Sequence, residues 1–167
     1  MSRPQHSSRV ASVLPVFVGF AVLVAAHFGV RPLFNSRVSV DFLAIAVLFV
    51  AVRLRPGAAA LVGFVTGVTI DAFAPGTFGA AALVLSSIAF AASWAKAVFF
   101  AEHIALTTAF LFVGKWAFDV GYLLMSGGSR GADLMVQLLI WAPLSAAVTA
   151  LLGVLLVSMF RPLLRPG

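Results

Sequence analysis

Between Arg9 and Arg31 the chain runs without a single Asp, Glu, Lys or Arg. At 1.5 Å per residue, a helix from Val10 to Val30 is long enough to cross about 30 Å of hydrocarbon. Similar apolar stretches follow at short intervals, and almost every charge falls at the end of one. A secretory signal is the competing reading of the first run. Its length, and the further apolar segments behind it, favour a membrane helix. Pro15 falls in the opening turns, where a missing N–H matters least. His27, near the far end, reads as an interfacial side chain.

Composition agrees. Charged residues make up 10% of the chain and hydrophobic ones 62%, where about 25% charged is usual for a soluble domain. Mean hydropathy is +1.13. This describes an integral membrane protein with almost no soluble part, and it leaves no room for an active site in water. There is no cysteine, which removes disulfides, thiolate catalysis and thiolate-bound metals together. The net charge of +6 comes from basic residues set singly at segment ends. That is the pattern of topology determinants, not of a phosphate-binding patch, so nucleic acid is not an expected partner.

The hydropathy pattern predicts an all-α, polytopic membrane protein: six transmembrane helices in one compact bundle, a single domain over residues 1–167. The spans run about 10–30, 40–52, 58–73, 78–98, 104–125 and 134–159. The second and third are short for a bilayer, and short spans thin the membrane or lie against neighbours. Arg53-Leu54-Arg55-Pro56-Gly57 holds only a hairpin, so these two spans are antiparallel neighbours. Trp94 and Lys96 end the fourth span in the aromatic-plus-basic manner of a headgroup layer. Glu102 opens the fifth, where a carboxylate suits a helix N-terminus. Pro143 predicts a kink in the sixth. Six spans put both termini on one side. With that side cytoplasmic, Arg3, Arg9, Arg53, Arg55, Lys96, Arg161 and Arg165 lie inside, and Arg31, Arg37 and Arg130 lie outside. The bias supports cytoplasmic termini.

Few polar residues stand inside the spans. Lys115 and Asp119 are four apart, hence on one helix face. Lys115 is near mid-membrane by residue count, where an unpaired charge costs about 2.5–3.5 kcal/mol on insertion scales. The two neutralise each other toward the bundle interior, form a proton relay, or meet another protein's membrane helix. Lys before Asp is the weaker order, which calls for a second partner, and Asp71 is a candidate. Asp71 stands at the unfavourable C-terminal end of its helix. It needs a cation or the backbone N–H groups of the Pro75-Gly76 turn. Asp41 heads the second span, where a negative charge suits the helix dipole. Ala59, Gly63, Gly67 and Asp71 recur every fourth residue and form one small-residue stripe. Ser145, Thr149 and Gly153 form a second, which reads as intramolecular packing.

No enzyme motif emerges. His6, His27 and His103 lack metal-ligand spacing. No nucleophile elbow or phosphate-cradling glycine loop is present. Asp71 and Asp119 have no evident substrate pocket beside them. Neither a cofactor nor a metal is expected.

The order of signals from Val38 to Ala82 resembles a known family. An aspartate leads into an apolar span (Val40-Asp41-Phe42-Leu43), and an Arg-rich turn follows (Arg53 to Pro56). Then come a glycine-rich span ending in an aspartate (Gly63, Gly67, Asp71) and a turn into a small-residue helix (Pro75 to Ala82). This resembles MreD, the rod shape-determining membrane protein family of bacteria, although that family often has Pro at the position of Val40. The resemblance implies a non-enzymatic subunit of the cell-elongation machinery in the bacterial inner membrane. It implies binding to an MreC-like bitopic scaffold and, through it, a link to MreB, RodA and its transpeptidase in peptidoglycan synthesis. It also implies a bundle similar to the substrate-binding subunit of energy-coupling-factor transporters. On this reading Gly63 and Gly67 form a groove for a partner's single span, and Asp41, Asp71, Lys115 and Asp119 supply polar contacts or a polar core. The rival reading is a transporter subunit binding a small molecule or membrane lipid. It needs a polar-lined cavity, and the few polar residues suit a lipid better than a hydrophilic ligand.

Overall fold

The computed structural model describes residues 19–25, 29, 41–95, 104–127 and 131–164, and among these there is helix but no strand. The rest of the first apolar run, residues 31–39, Lys96, Glu102, the three histidines and Arg130 lie outside the described residues. Residues 19–25 are helical. The labelled helices are α1 (Phe42–Ala51), α2 (Pro56–Ala72), α3 (Ala80–Trp94), α4 (Ile104–Ser126), α5 (Ala132–Val136) and α6 (Ala142–Leu164). A 3-10 turn, Pro75–Thr77, links α2 to α3. Two stretches, Ile104–Ser126 and Ala132–Leu156, are long and apolar enough to cross a membrane, whereas α1, α2 and α3 are shorter apolar helices.

Helix α1 is the centre. It starts where Asp41 caps it and ends in the turn in which the Arg53 N–H donates to the Val50 carbonyl at 3.0 Å. Pro56 then opens α2 at its first position, where its fixed φ suits a helix start. From Leu43 to Val52 every side chain except Phe49 is buried. A helix that is apolar all round has no face to offer water, so it is enclosed by its neighbours. At 1.5 Å per residue its ten residues span about 15 Å, half the hydrocarbon thickness. Helices α2, α3, α4 and α6 all touch it.

Helices α2 and α3 form the most intimate pair. Gly63 and Gly67 make this possible. A Cβ on Gly63 would stand 2.8 Å from the Leu85 carbonyl carbon and 2.9 Å from the Ala89 Cβ. One on Gly67 would stand 2.5 Å from the Ala82 nitrogen and 2.6 Å from the Ala81 carbonyl carbon. Ala59, Ala81 and Ala89 are fully buried along the same seam. The groove expected to receive a partner's span is therefore filled by the chain's own α3. A stripe of small residues marks close helix approach, and the sequence does not say whose helix approaches.

The second close pair is α4 with α6. Ala142, Ser145, Ala146, Thr149, Ala150 and Gly153 face inward along α6. A Cβ on Gly153 would meet Leu111 of α4 at 2.7 Å and Ile45 of α1 at 3.7 Å. The irregularity set by Pro143 takes the form of a π-helical turn, Gln137–Trp141, closed by the Ala142 N–H on the Gln137 carbonyl. Proline has no N–H for the carbonyl four residues back, and the helix widens just before it.

The exterior is apolar. Leu61, Leu83, Phe90, Trp94, Leu139 and Leu151 are exposed. The exposed hydroxyls turn back on their own helices. Thr69 donates to the Val65 carbonyl at 2.9 Å, Ser87 to Leu83 at 2.9 Å and Ser158 to Leu155 at 2.8 Å. This is how a hydroxyl is satisfied where no water is available.

Because the obstacle at Gly67 is backbone, Gly67→Ala should lower stability by about 1–3 kcal/mol or more through overpacking. Gly57→Ala, whose Cβ meets nothing within 4 Å, should be neutral or slightly stabilising. Thermal unfolding of the two variants in detergent checks the contrast.

Candidate functional site

The fold gathers two aspartates, Asp41 and Asp119, around the buried Lys115. The ammonium lies 3.3 Å from Asp41 Oδ2 and contacts Asp119 Oδ1. It also sits 5.1 Å from the centroid of the Phe118 ring. The Lys115 side chain is 3% exposed, against 12% for Asp41 and 18% for Asp119. Lys115 belongs to the buried stripe of α4 with Leu111 and Phe118. Asp119 follows one helical turn later, so both reach the same point beside α1.

Asp41 joins three helices. Its Oδ1 accepts the N–H groups of Leu43 at 3.1 Å and Ala44 at 3.2 Å, the usual work of an N-cap. Its Oδ2 faces Lys115 of α4. Its own N–H donates to Thr149 Oγ1 of α6 at 3.4 Å. The second partner of Lys115 is thus Asp41, not Asp71. The expected pairing fails because Asp71 is fully engaged elsewhere.

Asp71 ends α2 but serves α3. Its Oδ2 accepts from Gly79 N at 3.0 Å and Ala82 N at 2.9 Å, and its Oδ1 from Ala81 N at 3.1 Å. It is completely buried. The amides it satisfies are those that a helix start leaves without partners. The carboxylate also lies at the positive end of the α3 dipole, which offsets its poor place on α2. The turn reaches back to it through Gly79, whose φ of +99° lies in the region that favours glycine. Thr77, in the same turn, shares a 3.0 Å hydrogen bond with Tyr122 of α4.

The structure therefore brings Asp41, Lys115 and Asp119 together, sets Asp71 apart as a cap, and puts Gly63 and Gly67 in the α2–α3 seam. The polar link made by Thr149 and the Thr77–Tyr122 pair were missed from sequence. Tyr122 is the chain's one tyrosine, and its place inside an apolar span was the available signal. Among the described residues no three His, Cys, Asp or Glu side chains could hold a metal.

A groove of about 320 Å³ opens between residues 20–24, α1 and α2, with Phe20, Val24, Leu43, Leu61 and Thr66 on its walls. The Thr66 hydroxyl is spent on the Val62 carbonyl at 2.8 Å. The groove thus offers apolar walls and little to hold a hydrophilic ligand. The charge cluster can fix helix register and compensate charge.

Lys115→Met leaves two buried carboxylates without their cation and should cost about 3–5 kcal/mol. Asp71→Ala strips three amides of their acceptor and should cost about 2 kcal/mol or more. Both are read from unfolding midpoints in nanodiscs, with Lys115→Met expected to be the worse.

Comparison with known proteins adds one match. The family model for MreD, rod shape-determining protein, covers residues 8–166. No curated protein and no solved structure matches the chain. A match over nearly the whole length, on an all-helical body with apolar faces outward, settles the family: the chain belongs to the MreD family of rod shape-determining membrane proteins.

Proposed function

We propose that the chain is a non-enzymatic, multi-pass subunit of the bacterial cell-elongation complex. It binds an MreC-like bitopic scaffold in the inner membrane and, through it, works with MreB, RodA and its transpeptidase in peptidoglycan synthesis. All 167 residues act as one transmembrane domain of six spans with both termini in the cytoplasm.

One observation carries this reading. Among the described residues, Asp41, Asp71, Lys115 and Asp119 are turned toward one another or onto backbone amides, and the exposed faces of the long helices are largely apolar. A body built this way has little with which to do chemistry in water, and much surface for contact with other membrane helices. In lipid, such contact rests on van der Waals packing and a few interhelical hydrogen bonds. The back-bonded hydroxyls of Thr69, Ser87 and Ser158 support a hydrocarbon setting. The excess of basic residues on one side supports the orientation. The apolar groove beside α1 favours a second reading, a bound lipid chain, over a hydrophilic transport substrate.

Tagged chain, extracted in mild detergent, should retain the MreC-like protein of the same cell, and depletion of the chain should round rod-shaped cells. Unchanged rods after depletion, with no scaffold captured, would remove the proposal. Orientation is tested separately in the cysteine-free chain. A cysteine replacing Gly127 should react with an impermeant maleimide added to whole cells, and one replacing Gly57 should react only after lysis.

A further inference from the structure

Resting on the reading above, we propose that Asp119 and the shoulder of α4 around it dock a partner's transmembrane helix that carries a hydrogen-bond donor within its span. The donor is Arg or Lys by preference, and Ser or Thr otherwise.

Asp41, Asp71 and Asp119 are treated differently by the fold. Asp71 accepts three amides, and Asp41 accepts two amides and faces Lys115 with its other oxygen. Asp119 receives Lys115 on Oδ1, while its Oδ2 is buried without a donor. A carboxylate has about four lone-pair sites to satisfy, and the one ammonium beside Asp119 is shared with Asp41. A water-exposed carboxylate would complete its set from solvent. Hydrocarbon offers no donor, so the missing one has to come from protein.

Placement points outward. Thr107, Leu111, Lys115 and Phe118 form the buried stripe of α4, and Asp119 lies next to Lys115 at the rim of that stripe. Its side chain is 18% exposed. Trp116, three residues earlier on the same face, is 41% exposed, and Val120 beside it is half-buried. The terminal torsion of an aspartate is soft and nearly two-fold. Oδ2 is itself buried in this conformation, so a donor reaches it only as that torsion turns the oxygen toward the shoulder while the other holds Lys115. An approaching cation meets a carboxylate that has half an ammonium to itself, which is the charge complementarity that selects the occupant. The small-residue seams offer no such site, because Gly63, Gly67 and Gly153 already face this chain's own helices.

The test uses the full chain in native membranes with the MreC-like scaffold. The chain has no cysteine, so single ones report without background. Trp116→Cys and Val120→Cys should form disulfides with cysteines walked through the scaffold's span, at positions three or four apart. Leu61→Cys and Leu83→Cys, exposed on α2 and α3, should not. Asp119→Leu should weaken capture of the scaffold by about tenfold or more, the loss expected of a charged hydrogen bond. Asp119→Asn should fall between. Crosslinks confined to residues 61 and 83, or undiminished capture by folded Asp119→Leu, overturn the docking site and leave the broader function standing. A proton held on Oδ2 instead of a donor predicts that Asp119→Asn captures fully, and that result also overturns it. If wild-type chain captures no scaffold, both readings fall together. Should Asp119→Leu not fold, the cysteine pairs in the otherwise wild-type chain decide.

Discussion

An ammonium buried inside an apolar helical body has to be answered by the protein, and in this chain the answer sets the architecture. Lys115 stands near the middle of α4, inside a buried stripe with Thr107, Leu111 and Phe118. Its nearest compensation, Asp119, is on its own helix. Its second, Asp41, comes from the start of α1. Joining Lys115 to Asp41 puts the N-terminus of α1 at the level of the middle of α4. The ten residues of α1 then cover about 15 Å, about half the thickness of a hydrocarbon layer. The short central helix and the buried ion cluster are thus one arrangement. The dipole of α1 assists, since its positive end meets the carboxylate that also faces the lysine.

A second device holds α2 and α3. Lipid tails are as apolar as leucine side chains, so burial of apolar surface drives helix association far less here than in water. Close backbone approach has to replace it. The glycines at 63 and 67 bring α2 onto the carbonyls and amides of α3, and Asp71 then accepts the three amides at the start of α3. The contacts depend on each other. Ala82, whose backbone nitrogen lies over Gly67, gives that same N–H to Asp71. A shift at one end of the seam is felt at the other.

What was legible in the sequence was local. Hydropathy marks the apolar helices, the i, i+4 spacing of Lys115 and Asp119 places them on one face, and the four-residue recurrence from Ala59 to Asp71 marks close packing. That Asp71 needs either a cation or backbone donors also followed from its position at a helix end; which of the two, and that the donors are Gly79, Ala81 and Ala82, did not. Pairing between helices was not legible. Whether Lys115 meets Asp41 or Asp71 depends on which helices stand side by side and at what depth, and nothing in the spacing of either aspartate encodes that. The same limit explains the groove. Glycines four apart tell that some helix comes close, with identical chemistry for a helix of this chain and for a partner's. Thr149 looked like one more small residue because its role depends on Asp41, more than a hundred positions earlier.

These two devices also narrow how such a protein can act. The seams built from small residues are used up in making the fold, and what remains outside is large, apolar and common to any membrane helix. Recognition by shape alone is poorly specific on such a surface, since every apolar span offers leucine, valine and phenylalanine. A polar contact in hydrocarbon discriminates better, because a partner lacking the right group leaves a buried charge unmet. The ion cluster that orders α1, α4 and α6 leaves one buried carboxylate oxygen, Asp119 Oδ2, without a donor. On the docking proposed above, a subunit of this kind passes on position more than chemistry: the charge that fixes its interior would also fix the register of a partner's span beside it.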